Sequence, residues 1–425
     1  MDAVDALDLF SPATRNWFSG AFEVPTPAQE GAWSAAAAGE HTLVVAPTGS
    51  GKTLAAFLWA LDRLTVAGPP PDSQRRCRVL YISPLKALAV DVERNLRSPL
   101  TGIGQAAHRL GTPQPEIRVG MRTGDTPAEE RRAFARTPPD VLVTTPESLF
   151  LILTSAARES LRGVETVIVD EVHAVAGTKR GSHLALSLER LDALLLDPTG
   201  RFHQGRPAQR IGLSATVRPA EEVASFLAGG RPVRVVQPPS LKMIEVSVEV
   251  PVEDMSRLGE RTGEVEGSAA GAERRSSIWP AVEARVLDLV QAHRSTIVFA
   301  NSRRLAERLT SRLNELAAEP VANDPRPVRA PAELMGQAGE AAGVPPAVAK
   351  AHHGSMSREQ RTLVEEELKS GVLPCVVATS SLELGIDMGA VDLVVQVEAP
   401  PTVASGLQRV GRAGHQVGAV STGVV

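Results

Sequence analysis

Along most of the chain, short apolar runs alternate with longer stretches whose apolar positions recur at helical spacing. Each run ends where small or polar residues begin, and that alternation marks βα units and a parallel sheet. The expected fold class is therefore α/β. A first series of strands is predicted over 41–46, 78–83, 141–144, 166–170 and 210–214. A second begins at 296–300 and continues through 376–379 and 393–397 with the same period, so two similar lobes are expected, 1–240 and 241–425. In an open α/β sheet, ligands collect at the carboxyl ends of the strands. Chemistry should sit just after those runs. Between the series, 238–278 reads as a lobe connection followed by a flexible loop, GERTGEVEGSAAGAERRSS being polar and Gly/Ser-rich. The Pro/Ala-rich stretch 319–349 reads as a surface insertion in the second lobe, and 65–77 as a loop between a helix and the next strand.

Composition narrows the class. A chain of 425 residues suggests two or three domains at about 100 to 200 residues each. With 43% hydrophobic and 22% charged residues it has apolar side chain enough for sizeable cores, which excludes a disordered or collagen-like chain. No run reaches the roughly 18 uninterrupted apolar residues of a membrane span. The start MDAVDALDLF is acidic where a secretory signal would be basic, so a cytoplasmic address away from membranes is expected. Cys77 and Cys375, the only cysteines, lie far apart and lack CxxC spacing, which rules out disulfide and zinc frameworks. The net charge of −4 divides into +1 over residues 1–240 and −5 over the remainder. Neither part is a basic block, so adhesion to nucleic acid through bulk charge is not indicated and any contact must be local. With 9 Phe, 4 Trp and 1 Tyr, the chain also lacks the aromatics of a base-stacking platform. A bound strand would be held mainly by its phosphates.

The strongest local signal is APTGSGKT, 46–53, which directly follows the apolar run HTLVVA and directly precedes the helical pattern LAAFLWALDRL. Strand, glycine turn and helix N-terminus together form a cradle for polyphosphate. Gly49 and Gly51 let backbone N–H groups turn inward, Lys52 would reach the β and γ phosphates, and the Thr53 hydroxyl would ligate Mg²⁺. Ala46 stands where the strict pattern has Gly, and the bland alternative is a glycine-rich turn with an exposed lysine. A metal partner is supplied by VETVIVDEVHAV: Asp170 is placed to hold Mg²⁺ through water, and Glu171 to orient or deprotonate an attacking water. His173 could relay between that water and another segment. Read alone, such an acidic pair can equally be charge at a helix N-terminus.

Together with these two blocks the chain contains SPLKALAVD, TTPESL, SAT, IVFANSRR, ATSSLELGIDMG and QRVGRAGH, eight blocks in one order. In that order they resemble the superfamily 2 helicases of the DExH type, over nearly the whole chain. PTPAQEGAW, DEVHAVAGTKRGSHLALSLERL and ATSSLELGIDMGAVDLVVQVEAPP are similar to the large helicase-related (Lhr) subfamily within it. The resemblance implies two tandem RecA-like domains with the ATP site in the cleft between them. It also implies a nucleic-acid-dependent ATPase with Mg²⁺, moving 3′ to 5′ on single-stranded DNA and linked to DNA repair, with a DNA/RNA hybrid as a further substrate. An RNA-directed helicase and a clamp with a decayed ATP site are the competing readings. The clamp is disfavoured because Lys52, Asp170, Glu171 and Arg412 are all present.

The resemblance assigns roles by position. Thr48, Gly49, Ser50, Gly51, Lys52 and Thr53 contact the nucleotide, Gln29 pairs with the adenine edge through a bidentate amide, and Asp387 contacts the ribose. Gln29 can instead cap the helix that follows it. Arg412 matches an arginine finger, while His415 stands where the family often has a second arginine, and a neutral imidazole cannot replace that permanent charge. Gln408 would touch His173 and couple the lobes; Arg409 is either a nucleotide contact or a structural salt bridge. Strand contacts would come from Pro84 to Lys86, from Arg122, Thr123 and Asp125, from Thr144 and Thr145, and from Asn301, Ser302, Arg303 and Thr379. Each hydroxyl among them can also be an ordinary helix cap. SAT, 214–216, resembles the block that links hydrolysis to strand movement. The family continues into a winged-helix domain after the last block, so a motor core without that domain is expected here.

Overall fold

The alternating pattern folds as βα units in two separate parallel sheets. The computed structural model describes residues 5–47, 50–84, 86–199, 205–215, 217–239, 243–252, 254–255, 277–318, 347–383, 391–414 and 420–425. By its internal contacts the chain divides into two units, Met1–Leu241 and Lys242–Val425. In the first, α1 (Pro12–Ala21) and α2 (Pro27–Ala37) lead into β1 (His41–Val45), α3 (Lys52–Ala67), β2 (Val79–Ile82), α4 (Lys86–Arg109), β3 (Val119–Arg122), α5 (Ala128–Arg136) and β4 (Val141–Thr144). The unit continues with α6 (Pro146–Leu153), β5 (Thr166–Val169), α7 (Val172–Ala176), α8 (Lys179–Leu196), β6 (Gln209–Ser214), α9 (Ala220–Ala228) and β7 (Val233–Val236). The second unit runs β8 (Ile244–Ser247), α10 (Trp279–Ala292), β9 (Thr296–Phe299), α11 (Arg303–Ala318), β10 (Ala349–His352), α12 (Arg358–Lys369), β11 (Cys375–Ala378), β12 (Leu393–Gln396), α13 (Val403–Val410) and β13 (Ser421–Val424).

Among the described residues the first sheet has the order β3-β4-β2-β5-β6-β1-β7 and the second β10-β11-β9-β12-β13-β8. Burial on both faces explains why the central strands read as continuous apolar runs. Leu43, Val45, Leu80, Ile82, Val167 and Val169 pack with residues of α6, α8 and α9 on one face. Val44, Val79, Tyr81 and Ile168, the alternate positions, pack with α2, α3 and α4 on the other. The scarce aromatics are spent in a core too: Phe10 and Phe18 meet Trp33 edge-on at 4.8 and 5.5 Å, and all three are buried. A third core, with Val298, Val377, Val395 and Leu309, fills the second unit. Cys77 and Cys375 are free and buried. No helix among the described residues is long and apolar enough to cross a membrane.

Five strands depart from the expected pattern: β3, β7, β8, β10 and β13. β8 lies in the stretch read as a connection, and β10 opens at the last residue of the stretch read as an insertion. Residues 256–276 and 319–346 lie outside the described residues.

Charge is buried inside the first unit where β6 meets α8. The Arg210 guanidinium is 1% exposed; it donates to Asp192 at 2.6 Å, to Glu189 at 2.9 Å and to the Leu227 carbonyl at 2.9 Å. Removing one partner of such a group strands the other charge in the interior. Arg210→Ala is expected to lower stability by about 3 to 5 kcal/mol. Urea unfolding checks this, and a midpoint equal to wild type would remove the network from the account.

Candidate functional site

Lys52 is the first residue of α3, and the turn before it is built by the sequence. Gly51 has φ +76°, and a Cβ there would lie 2.6 Å from Gln29 Nε2, so glycine is required twice over. Ser50 is fixed from two sides, its hydroxyl donating to the Pro47 carbonyl at 2.7 Å and its carbonyl accepting from Thr26 Oγ1 at 2.9 Å. The Lys52 ammonium donates to the Ala46 carbonyl at 2.5 Å, and the residue is 9% exposed. That burial argues against a plain turn with an exposed lysine. Thr53, half-buried, follows in the first turn of α3, while Thr48 and Gly49 lie outside the described residues.

Asp170 follows β5 directly. Its Oδ1 accepts the Glu171 N–H at 2.8 Å, and its Oδ2 accepts the Tyr81 hydroxyl. Burial first, and the neighbouring Glu171 carboxylate second, push its carboxyl up to about 7, against the pull of those two hydrogen bonds and of Lys52. A divalent cation would reverse that balance. Glu171 sits at the N-cap of α7 in a left-handed conformation, φ 43° and ψ 46°, and makes no side-chain cap bond. The charge at this helix start is therefore not spent on capping. Glu171 Oε2 is buried without a hydrogen-bond partner among the described residues. It lies 3.5 Å from His173 Nδ1. That nitrogen accepts the Ala215 N–H at 3.3 Å and lies 3.1 Å from Ser214 Oγ. His173 is thus fastened to the strand end of SAT, whose Thr216 lies outside the described residues.

The residues present fit a nucleotide and its metal on three counts. They offer an orphaned buried carboxylate oxygen, a turn whose glycine leaves no room for a side chain, and a pair of hard oxygen donors beside an ammonium.

Gln29 is placed otherwise than the adenine reading requires. It is the third residue of α2 in a capping box: its Oε1 accepts the Thr26 N–H at 2.8 Å, and its own N–H donates to Thr26 Oγ1 at 3.3 Å. In this structure Gln29 therefore forms the helix cap that the sequence offered as its other role, with its Nε2 against the Gly51 turn. Gln29→Ala is expected to destabilise the first unit by about 1 kcal/mol, read as a lower urea midpoint, and an unchanged midpoint would deny the cap this role.

The strand-contact candidates of the first unit share the carboxyl edge of its sheet. Ile82, Thr144 and Arg122 are in register, so Pro84, Arg122, Thr123 and Thr145 emerge side by side after β2, β3 and β4. Pro84 offers its carbonyl to Arg180. Lys86 opens α4, its side chain lying outside the description. Arg122 lies over the Phe134 ring at 5.4 Å. Thr123 accepts from the Asp125 N–H at 3.3 Å, and its own N–H donates to Thr126 at 2.8 Å. Thr145 holds the N-cap of α6 yet makes no backbone cap bond; its hydroxyl donates to Ser148 at 3.1 Å.

In the second unit Asn301 and Arg303 follow β9, and Thr379 follows β11, with Phe299 and Ala378 in register. The Asn301 amide donates to the Ala399 carbonyl at 2.9 Å, Arg303 donates to Ser355, and Thr379 heads a short turn without a side-chain cap bond. Gln408 and Arg409 lie on α13. Of the two readings of Arg409 the salt bridge is the one observed. Its guanidinium is 2% exposed, bound to Glu383 at 2.9 Å and to Gln396 at 2.6 Å, and a group so engaged is corrected from the nucleotide contacts. Arg412 donates to the Glu383 carbonyl at 2.8 Å. Asp387 and His415 lie outside the described residues.

Two neighbours of the candidate site escape the sequence reading, Tyr81 on Asp170 and Glu383 under both arginines, while the contact of Ser214 and Ala215 with His173 gives the SAT block a partner it was not assigned. Of these two, Glu383 had a signal, as the sole acid in SSLELG of the quoted block.

Residues 26–223 match the model of the DEAD/DEAH box helicases, and residues 342–416 that of the helicase conserved C-terminal domain. The Lhr helicase/probable uracil glycosylase of Mycolicibacterium smegmatis is 63% identical over 100% of this chain, which spans 27% of its length. The Lhr helicase/uracil glycosylase of Escherichia coli is 58% identical over 98% of the chain, again 27% of the relative. A solved structure of the Mycobacterium smegmatis helicase Lhr bound to ssDNA and AMP-PNP superposes with a TM-score of 0.80 at 62% identity, over 99% of this chain and 48% of that one. The chain thus spans about a quarter of the length of these two curated relatives. Its two sheets have the tandem RecA-like plan, and the chain belongs to the Lhr family of superfamily 2 helicases.

Proposed function

We propose that the chain is an ATP-driven motor that moves 3′ to 5′ on single-stranded DNA, working in the cytoplasm in DNA repair, with 1–240 and 241–425 as its two lobes. The observation that carries this reading is the division of one sheet edge. The ends of β1, β5 and β6 gather Lys52, the acidic pair and the Ser214–His173 contact, while the ends of β2, β3 and β4 beside them carry Pro84, Arg122, Thr123 and Thr145. One rigid sheet thus ties the hydrolytic residues to the strand-holding loops. The ssDNA and AMP-PNP of the solved Lhr support the ligands, and direction and repair rest on the family resemblance.

In this reading Lys52 neutralises phosphate charge, and Thr53 with Asp170 would hold Mg²⁺. The metal, when bound, supplies positive charge to the transferring phosphoryl group. Glu171 takes the proton of the attacking water on the buried oxygen that lacks a partner. His173, fastened to Ala215, passes the state of that site to the end of β6. On the family resemblance Arg412 is assigned as the arginine finger, Gln408 as a coupling residue and Asp387 as the ribose contact. On the strand side the loop backbones and hydroxyls grip phosphate without reading bases.

Streptavidin displacement from biotinylated oligodeoxynucleotides tests the direction. The chain should remove streptavidin from the 5′ end with ATP and leave it on the 3′ end. The opposite preference would overturn the polarity.

A further inference from the structure

Tyr81 is the one tyrosine of the chain, and it is 0% exposed. It lies in β2, level with Ile168 of the neighbouring β5, and its ring stacks on Phe57 of α3 at 4.8 Å with an interplanar angle of 26°. Its hydroxyl donates to Asp170 Oδ2, while Asp170 Oδ1 is taken by the Glu171 N–H at 2.8 Å. Both carboxylate oxygens are therefore fixed, one by the main chain and one by a side chain from another strand. A phenylalanine would fill the same apolar space, and a buried phenol needs a partner for its O–H. The polar atom in this otherwise apolar layer is explained by what it holds. The ring contact adds a second tie, since Phe57 belongs to the helix that begins with Lys52. The carboxylate and the ammonium are thus referred to one frame.

We propose that Tyr81 is a positioning residue for Asp170, setting the rotation of its carboxylate so that the lone pairs left over hold a divalent cation. This rests on the nucleotide site proposed above. Tyr81→Phe keeps the ring on Phe57 and removes only the donor, which leaves one carboxylate oxygen without its fixed partner.

The test measures Mn²⁺ affinity by electron paramagnetic resonance on the 425-residue chain loaded with AMP-PNP, in which nothing turns over. Loss of an outer partner of a metal ligand costs about 10-fold or more in metal affinity, so Tyr81→Phe should bind Mn²⁺ about 10-fold more weakly while its metal-free nucleotide affinity stays that of wild type. Equal Mn²⁺ affinities in the two proteins would overturn the proposal. So would an equal loss of metal-free nucleotide binding, which would mark a structural residue only. Failure of the wild type itself to bind Mn²⁺ would instead overturn the nucleotide-site reading, and this inference with it. Because the chain has one tyrosine, 3-fluorotyrosine incorporation labels that ring alone, which keeps the question open to measurement if Tyr81→Phe does not fold. Its single fluorine resonance should move when Mg²⁺ is added to the nucleotide-loaded protein; a resonance that stays in place would overturn the proposal as well.

Discussion

Replacing Lys52 with alanine is expected to cut ATP turnover by about 10² to 10³-fold or more while the fold stays in place. The ammonium is the one cation of the described phosphate turn, buried to 9% exposure and aimed back at the Ala46 carbonyl. With phosphate bound it would be the donor nearest to developing negative charge, in surroundings that exclude water and so weaken its attraction little. The strand end does not depend on it, because the Ala46 N–H remains bonded to the Ser214 carbonyl at 3.1 Å. A coupled ATPase assay with a thermal melt separates the two effects. Turnover at the wild-type rate in Lys52→Ala would remove this loop from the mechanism.

Glu171→Gln should separate binding from chemistry. The amide keeps the shape and the left-handed backbone at φ 43°, and it leaves Asp170 with both of its hydrogen bonds. What it loses is the ability to accept a proton. Hydrolysis is expected to fall by about 10² or more, with nucleotide affinity within a factor of about two of wild type. Single-turnover kinetics beside an equilibrium titration read the two quantities. Loss of nucleotide binding in the same proportion as turnover would make Glu171 a ligand or a structural residue.

The legible parts of the fold were those under the strongest constraint. Central strands such as β1, β2, β5, β9 and β12 are covered on both faces, so HTLVV, VLYI and TVIV are apolar over most of their length and announced themselves. The strands that stayed hidden are mostly edges. β3 and β7 close the first sheet and β10 and β8 the second, and an edge needs neighbours on one side only. Hence VGMR, AKAH and IEVS raised no strand expectation. β13 is interior, but Ser421 is tied to the Ala413 carbonyl at 2.6 Å and Gly423 lies beneath Val410, contacts that no local pattern reveals.

The site divides in the same way. Lys52 and the acidic pair were legible because each needs a local context, strand then turn then helix, that the sequence displays. Gln29 and Arg409 were each left between two roles, because what decides is which partner the side chain takes in the fold. Thr26 is near in sequence and Glu383 and Gln396 are not, and in both cases the structural role is the one formed. Tyr81 was invisible for the same reason. Its partner is 89 residues away, and a tyrosine within an apolar run reads as core.

Steady-state ATP turnover by this chain, with and without a single-stranded oligodeoxynucleotide and with RNA of the same sequence, tests the central claim most directly. A sheet whose one edge carries both the hydrolytic residues and the strand-holding loops predicts turnover that is slow alone, rises about 10-fold or more with DNA, and rises less with RNA. The same rate with and without a strand would contradict it, and a response to RNA alone would hand the site to the RNA-directed reading.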